Sequence, residues 1–253
     1  MSVPDDSKIK YLRIPIPFIG MLLIAPDSVI SILYYCIYAE AIIKSEEKNI
    51  NIREACKEVE SRLGLQRRGF DALDFETLEK CHKWYKDVNT NIWAYCPIGR
   101  FLEFALKAGK RNIPDFEVNQ FCCFLAMKSI EGNKAYGIAT KKMILTRMLG
   151  LDKSEKLKDS FLSRAKKKEI KEKYQKISTI RKFASIIGGI TEGKYFASVA
   201  PRPRIGYIFS TNLSIGELTE QYIKDKNICK SPTLDYNRNF FKNAIEIARN
   251  SAG

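Results

Sequence analysis

Lysine and arginine are the residues of this chain whose chemistry is easiest to name. Between Lys153 and Lys182 (KSEKLKDSFLSRAKKKEIKEKYQKISTIRK) stand twelve of them against four Asp or Glu, a net +8 out of +14 for the whole chain. Cations spaced along a helix-prone run neutralise phosphates and release counterions, giving affinity for a polyanion without sequence preference. Glu169 and Lys173, at i,i+4, are the kind of pair that makes a solvated helix, but eight uncompensated charges exceed what such pairing requires. A second basic group is formed by Lys194, Arg202 and Arg204, the last two in Ala200-Pro201-Arg202-Pro203-Arg204. Prolines on either side of Arg202 limit the entropy it loses when pressed against a phosphate or an AT-rich minor groove.

Other chemistry has little to stand on. His82 is the only histidine, so any mechanism needing two is excluded. Cys81 beside it is no dyad partner, because adjacent helical residues point about 100° apart. Asp71, Asp74, Glu76 and Glu79 could be drawn as magnesium ligands, yet acidic residues at a helix start are explained by the helix dipole. The seven cysteines form no CxxC pair, which argues against a zinc site and for reduced, core-packing thiols in a cytoplasmic protein. Gly188 to Tyr195 (GGITEGKY) matches the spacing of a phosphate-binding loop, but puts Tyr195 where Ser or Thr should hold magnesium and follows a helix rather than a strand. The expectation is a protein without catalytic residues, cofactor or metal.

The elements that must position the cations are legible around them. Ile180 to Ile190 (IRKFASIIGGI) places Ile180, Phe183, Ile186 and Ile187 on one helical face and ends on a glycine pair. Lys166, Lys167, Lys173, Lys176, Ser178, Thr179, Arg181 and Lys182 then fall on or before this helix, with Arg181 suited to a guanine edge and the hydroxyls to phosphates. KYFASV and IGYIFS, joined by residues 200–204, describe a β-hairpin with a basic tip. Tyr195, Phe196, Tyr207 and Phe209 are expected to pack that hairpin rather than stack on bases.

A helix ending in glycine and followed by a basic-tipped hairpin is the order of a winged helix-turn-helix. Thr140 to Ser210 resembles the winged-helix domains of plasmid and phage replication initiators and replisome organisers. The resemblance rests on Arg147-Met148-Leu149-Gly150, on Ile186-Ile187-Gly188-Gly189-Ile190 and on Arg204-Ile205-Gly206-Tyr207-Ile208-Phe209-Ser210. It departs from the family pattern in the long basic stretch between Gly150 and the second of these segments. The resemblance implies a non-enzymatic protein that binds double-stranded DNA, acts as a homodimer or homo-oligomer, and recruits replication proteins or represses its own gene. A basic RNA- or protein-binding adaptor is the alternative.

The rest of the chain reads as mainly α with small β-hairpins. With 253 residues and 45% apolar content, it has material for one large domain or two. The polar, basic, proline-closed GKRNIP (109–114) suggests a division into residues 1–110 and 111–253. Helices are expected over Val29–Lys44, Ile52–Leu63 closed by Gly64, Asp71–Asp87, Gly99–Ala108, Glu117–Ile130, Thr140–Leu149 ended by Gly150, Ser214–Lys224 with a Ser214/Glu217 capping box, and Asn237–Asn250. Ile14–Ile24, with two prolines, reads as extended, and Ser45–Asn49 as a turn. Asn51–Leu65 and Gly137–Leu151 align at an offset of 86 with Ile, Leu, Gly and Leu shared, which leaves open a tandem winged-helix arrangement or a coincidence of helix-capping chemistry. Ile14 to Ile43 is the most apolar region, but its prolines and the shortness of Val29–Ile43 argue for core rather than a membrane span.

Overall fold

The computed structural model describes residues 10–65, 75–88, 90–109, 113–152, 168–169, 171–173, 197–202 and 206–225, with the side chains of 75, 197–202, 206 and 215 left aside. The protein is mainly helical, with two small antiparallel sheets among the described residues. Strand β1 (Tyr11–Pro15) leads into α1 (Ile16–Ile24), then α2 (Val29–Lys48), α3 (Ile52–Leu63), α4 (Phe75–Asp87), β2 (Trp93–Pro97) and α5 (Ile98–Ala108). Helix α6 (Asp115–Glu131), β3 (Gly137–Ala139), α7 (Lys141–Met148), β4 (Ala197–Arg202), β5 (Gly206–Ser210) and α8 (Ile215–Asp225) follow.

Residues 16–24, read as extended, are helical. Pro15 is the N-cap and Pro17 lies in the first turn, where no intrahelical N–H bond is lost and the fixed φ favours the helix. Every α1 residue from Ile16 to Leu23 is buried. Helix α2 also runs further than expected, to Lys48, and stops where Asn49 takes a left-handed φ of 53°. Together with the preceding short 3-10 turn it is long and apolar enough to cross a membrane by length and composition, so the shortness argument fails. What occupies its apolar side is protein: Ile32, Leu33, Tyr35, Cys36 and Ile37 are buried in the main core.

The two segments that echo one another end identically. At α3, Gly64 N donates to Ser61 O and Leu65 N to Glu60 O; at α7, Gly150 N donates to Arg147 O and Leu151 N to Thr146 O. Both are Schellman closures with a left-handed glycine, φ 73° and 77°, and a buried leucine after it. Their beginnings differ: Ile52 opens α3, whereas its echo Ile138 lies in β3. Asn51 caps α3 by accepting from Glu54 N at 2.9 Å and Thr140 caps α7 by accepting from Met143 N at 3.2 Å.

A single apolar cluster joins residues on both sides of the 110/111 division, from Leu12 to Met148 and Phe209. Helix α1 packs on α6 and α7, and β2 packs on α6. Contact between α1 and the α7 turn is at backbone distance: a Cβ on Gly20 would lie 2.4 Å from Leu149 O, and one on Gly150 2.8 Å from Ile16 O.

Candidate nucleic-acid interface

The C-terminal sheet has the order β3-β5-β4, all antiparallel. Among the described strands β5 is therefore central and β4 is an edge, where Pro201 can sit without costing a ladder hydrogen bond. The hairpin expected from sequence is present, with a narrower connection: Arg202 pairs with Gly206, and only 203–205 lie between, after a register irregularity between Val199 and Arg202. Phe209, fully buried, covers Gly137 across the sheet, and a Cβ there would meet the ring at 2.5 Å. Tyr207 packs against the same main core, whereas Ile208 faces the other way with Leu218 and Tyr222 of α8. Those two rings thus pack the hairpin as expected.

A buried polar cluster ties this sheet to the end of α6. The Glu131 carboxylate, with no exposed side-chain surface, accepts from Thr211 N at 2.9 Å, Ser210 Oγ at 3.1 Å and Thr211 Oγ1. Lys128 Nζ lies 3.6 Å from it and donates to Asn212 Oδ1 at 3.0 Å. Burial lowers the Lys128 pKa, and Glu131 pulls the other way. Glu131→Gln should cost about 3–5 kcal/mol, because Lys128 keeps its burial and loses its counter-ion; urea unfolding at neutral pH measures it, and an unchanged midpoint would show the cluster to be energetically idle. At the start of α8, Ser214 and Glu217 form the expected capping box, Ser214 N donating to Glu217 Oε2 at 2.8 Å and Glu217 N to Ser214 Oγ at 3.3 Å.

Of the expected DNA-contacting residues, the structure describes the side chain of Lys173 and the backbone of Arg202. Lys173 lies in a helical piece, and its Nζ is 2.9 Å from Asp115 Oδ1 at the start of α6. Asp115 is largely exposed while Lys173 is not, so a phosphate approaching Lys173 meets a competing carboxylate. Lys166, Lys167, Lys176, Ser178, Thr179, Arg181, Lys182, Lys194 and Arg204 lie outside the described residues, as do the 180–190 and 237–250 helices, GGITEGKY, Asp71 and Asp74. Arg147, part of the quoted resemblance, is buried and ion-paired to Asp152 at 2.8 Å.

Elsewhere, Glu76 and Glu79 are exposed on α4, and His82 Nδ1 shares a 2.9 Å hydrogen bond with the Tyr38 hydroxyl. Among the described residues no three His, Cys, Asp or Glu side chains cluster as metal ligands would. Sequence reasoning missed one constellation: Arg13 lies over the rings of Trp93, at 4.9 Å, and Tyr95, at 6.0 Å. The alternation in YLRIP and WAYCP was the available signal, but only the β1–β2 pairing brings the three together.

Comparison with protein-family models, with curated proteins and with solved structures gives no match.

Proposed function

We propose that the C-terminal half is a winged helix that binds double-stranded DNA, with the β4–β5 turn as the wing. One observation carries the reading. After α6, β3 and α7 comes the lysine-rich run, and then a hairpin whose second strand inserts between its first strand and β3. That order leaves β4 on the sheet edge, with Arg202 at the turn, where a cation can reach a phosphate or minor groove beside a helix in the major groove. The concentration of net charge in residues 153–182 supplies the complementary field. The α7 cap and Schellman closure, repeated at α3, support a tandem version in which the N-terminal half is a related unit. Replication initiation or organisation for a plasmid, phage or other mobile element is the role that best suits such a protein, with repression of its own gene as the variant of the same binding. Self-association belongs to the reading, and the exposed Leu106 and Phe116, on adjoining helices joined by the 2.9 Å Lys107–Glu117 ion pair, support it.

Fluorescence polarisation with duplex DNA, single strands and RNA at two salt concentrations tests this. The Arg202→Ala/Arg204→Ala pair should weaken duplex binding about 10- to 100-fold and lower the salt slope by about two. Equal affinity for all three polymers, unchanged in the double variant, would reject the wing and favour the adaptor.

A further inference from the structure

The β1–β2 ribbon has two unlike faces. Leu12, Ile14, Ala94 and Cys96 point into the core and are fully buried. Tyr11, Arg13, Trp93 and Tyr95 alternate with them and remain part-exposed. Antiparallel register sets Arg13 directly opposite Tyr95, with Trp93 two pairs further along opposite Pro15. The guanidinium therefore lies on an aromatic bed, 4.9 Å from the indole centroid, and Lys128 Nζ approaches the Tyr11 ring at 5.9 Å from the far end.

Two features set this face apart from an ordinary cross-strand stack. The Arg13 Nε–H is sequestered from solvent and has no hydrogen-bond partner, and no ion pair among the described residues engages its guanidinium. A buried orphan costs about 1–3 kcal/mol; the Nε–H being covered, an incoming acceptor meets the terminal nitrogens of the part-exposed guanidinium. In addition, neither Lys10–Pro15 nor Trp93–Pro97 contains an acidic residue, in a chain of net charge +14. A flat cation with free in-plane donors, flanked by rings, matches a ligand offering both a planar base to stack and an anionic oxygen to accept.

We propose that this ribbon face binds single-stranded nucleic acid: a base stacks on the Trp93–Tyr95 side and a phosphate or base-edge oxygen accepts from Arg13. A duplex does not fit the requirement, because its bases are already stacked on one another. The proposal stands apart from the duplex contact assigned to the hairpin, and the two fail separately.

The experiment measures polarisation of labelled oligothymidylate and of a duplex on the same protein preparations. Arg13→Ala should weaken oligothymidylate binding about tenfold while leaving duplex affinity unchanged, and Arg202→Ala/Arg204→Ala should do the reverse. Arg13→Lys, which keeps the charge but not the planar fork, should recover part of the loss. Oligothymidylate should quench tryptophan fluorescence in the unaltered protein, and the quench should vanish in Trp93→Phe, where only Trp84 is left to report. Melting curves identify a variant that fails to fold; the wild-type quench and Arg13→Lys then decide. Wild-type single-strand affinity in a folded Arg13→Ala, or the absence of a Trp93-dependent quench, overturns the proposal.

Discussion

Gly150→Ala should lower the stability of the fold by about 2–5 kcal/mol, beyond the effect of the same change at Gly64. Both glycines close a helix in the left-handed region, which costs an L-residue about 1–2 kcal/mol. At Gly64 that is the whole cost, since the nearest atom to an added Cβ is the flexible tip of Lys10 at 3.7 Å. At Gly150 the Cβ would meet three α1 backbone atoms within 2.9 Å, and α1 cannot retreat because all of Ile16–Leu23 is buried. Overpacking of that kind adds about 1–3 kcal/mol.

Gly20→Ala separates the two terms. In a helix interior alanine is favoured over glycine by about 1 kcal/mol, yet here its Cβ would stand 2.4 Å from Leu149 O. Gly20→Ala thus loses about 1–3 kcal/mol to the clash and regains about 1 from propensity, so Gly150→Ala should melt lowest, about 4–20 °C below wild type, with Gly64→Ala and Gly20→Ala between the two. Equal losses at Gly64 and Gly150, or a stabilising Gly20→Ala, would show that α1 and the α7 turn are not in backbone contact.

Gly150 also illustrates what can be read from residue order. Helix ends are local events, so Leu-Gly-Leu, Thr140 and the Ser214/Glu217 box disclosed their geometry without any fold. The hairpin was legible for the same reason, its two strands being joined by a few residues. Ile16–Ile24 was misjudged because Pro15 and Pro17 favour extended chain and the first turn of a helix alike; burial against α6 and α7 decides between them. Nothing local announces that β1 pairs with β2, that β5 rather than β4 lies beside β3, or that Glu131 meets Thr211. Those are contacts between distant segments, set by how faces pack. The candidate site divides along the same line. Arg202 was placed at a turn by its prolines, whereas the Asp115 partner of Lys173 and the aromatic bed of Arg13 depend on tertiary placement.

Raising the pH from 8.5 to 10 should unfold the protein or bring it close to unfolding. Cys36, Cys96, Cys122 and Cys123 are free and buried, and loss of hydration raises all four thiols above the ordinary 9.0, Cys96 and Cys122 to about 12. Lys128 and Arg100 near Cys96, and Lys173 near Cys122, pull the other way without cancelling burial. Below pH 9 both folded and unfolded chains hold these protons, and the full stability is present. Above it the unfolded chain releases them while the folded chain cannot, so stability falls until the folded thiols themselves ionise. One pH unit above 9 each thiol contributes a loss of about 1.4 kcal/mol. Four together remove about 5–6 kcal/mol, against a total of about 5–15 for a folded domain. Lys128 has the opposite sign, its lowered pKa relieving a cost as pH rises, but it is one group against four. Thermal melts at constant ionic strength across this range measure the slope, and Cys96→Ala should reduce it. At pH 8 the same burial predicts that a thiol reagent reaches Cys36, Cys56, Cys81, Cys96, Cys122 and Cys123 only after unfolding, because the reacting species is the thiolate. Ready labelling of any of those six in the native protein, or a melting temperature flat between pH 8.5 and 10, would mean that these thiols are open to water.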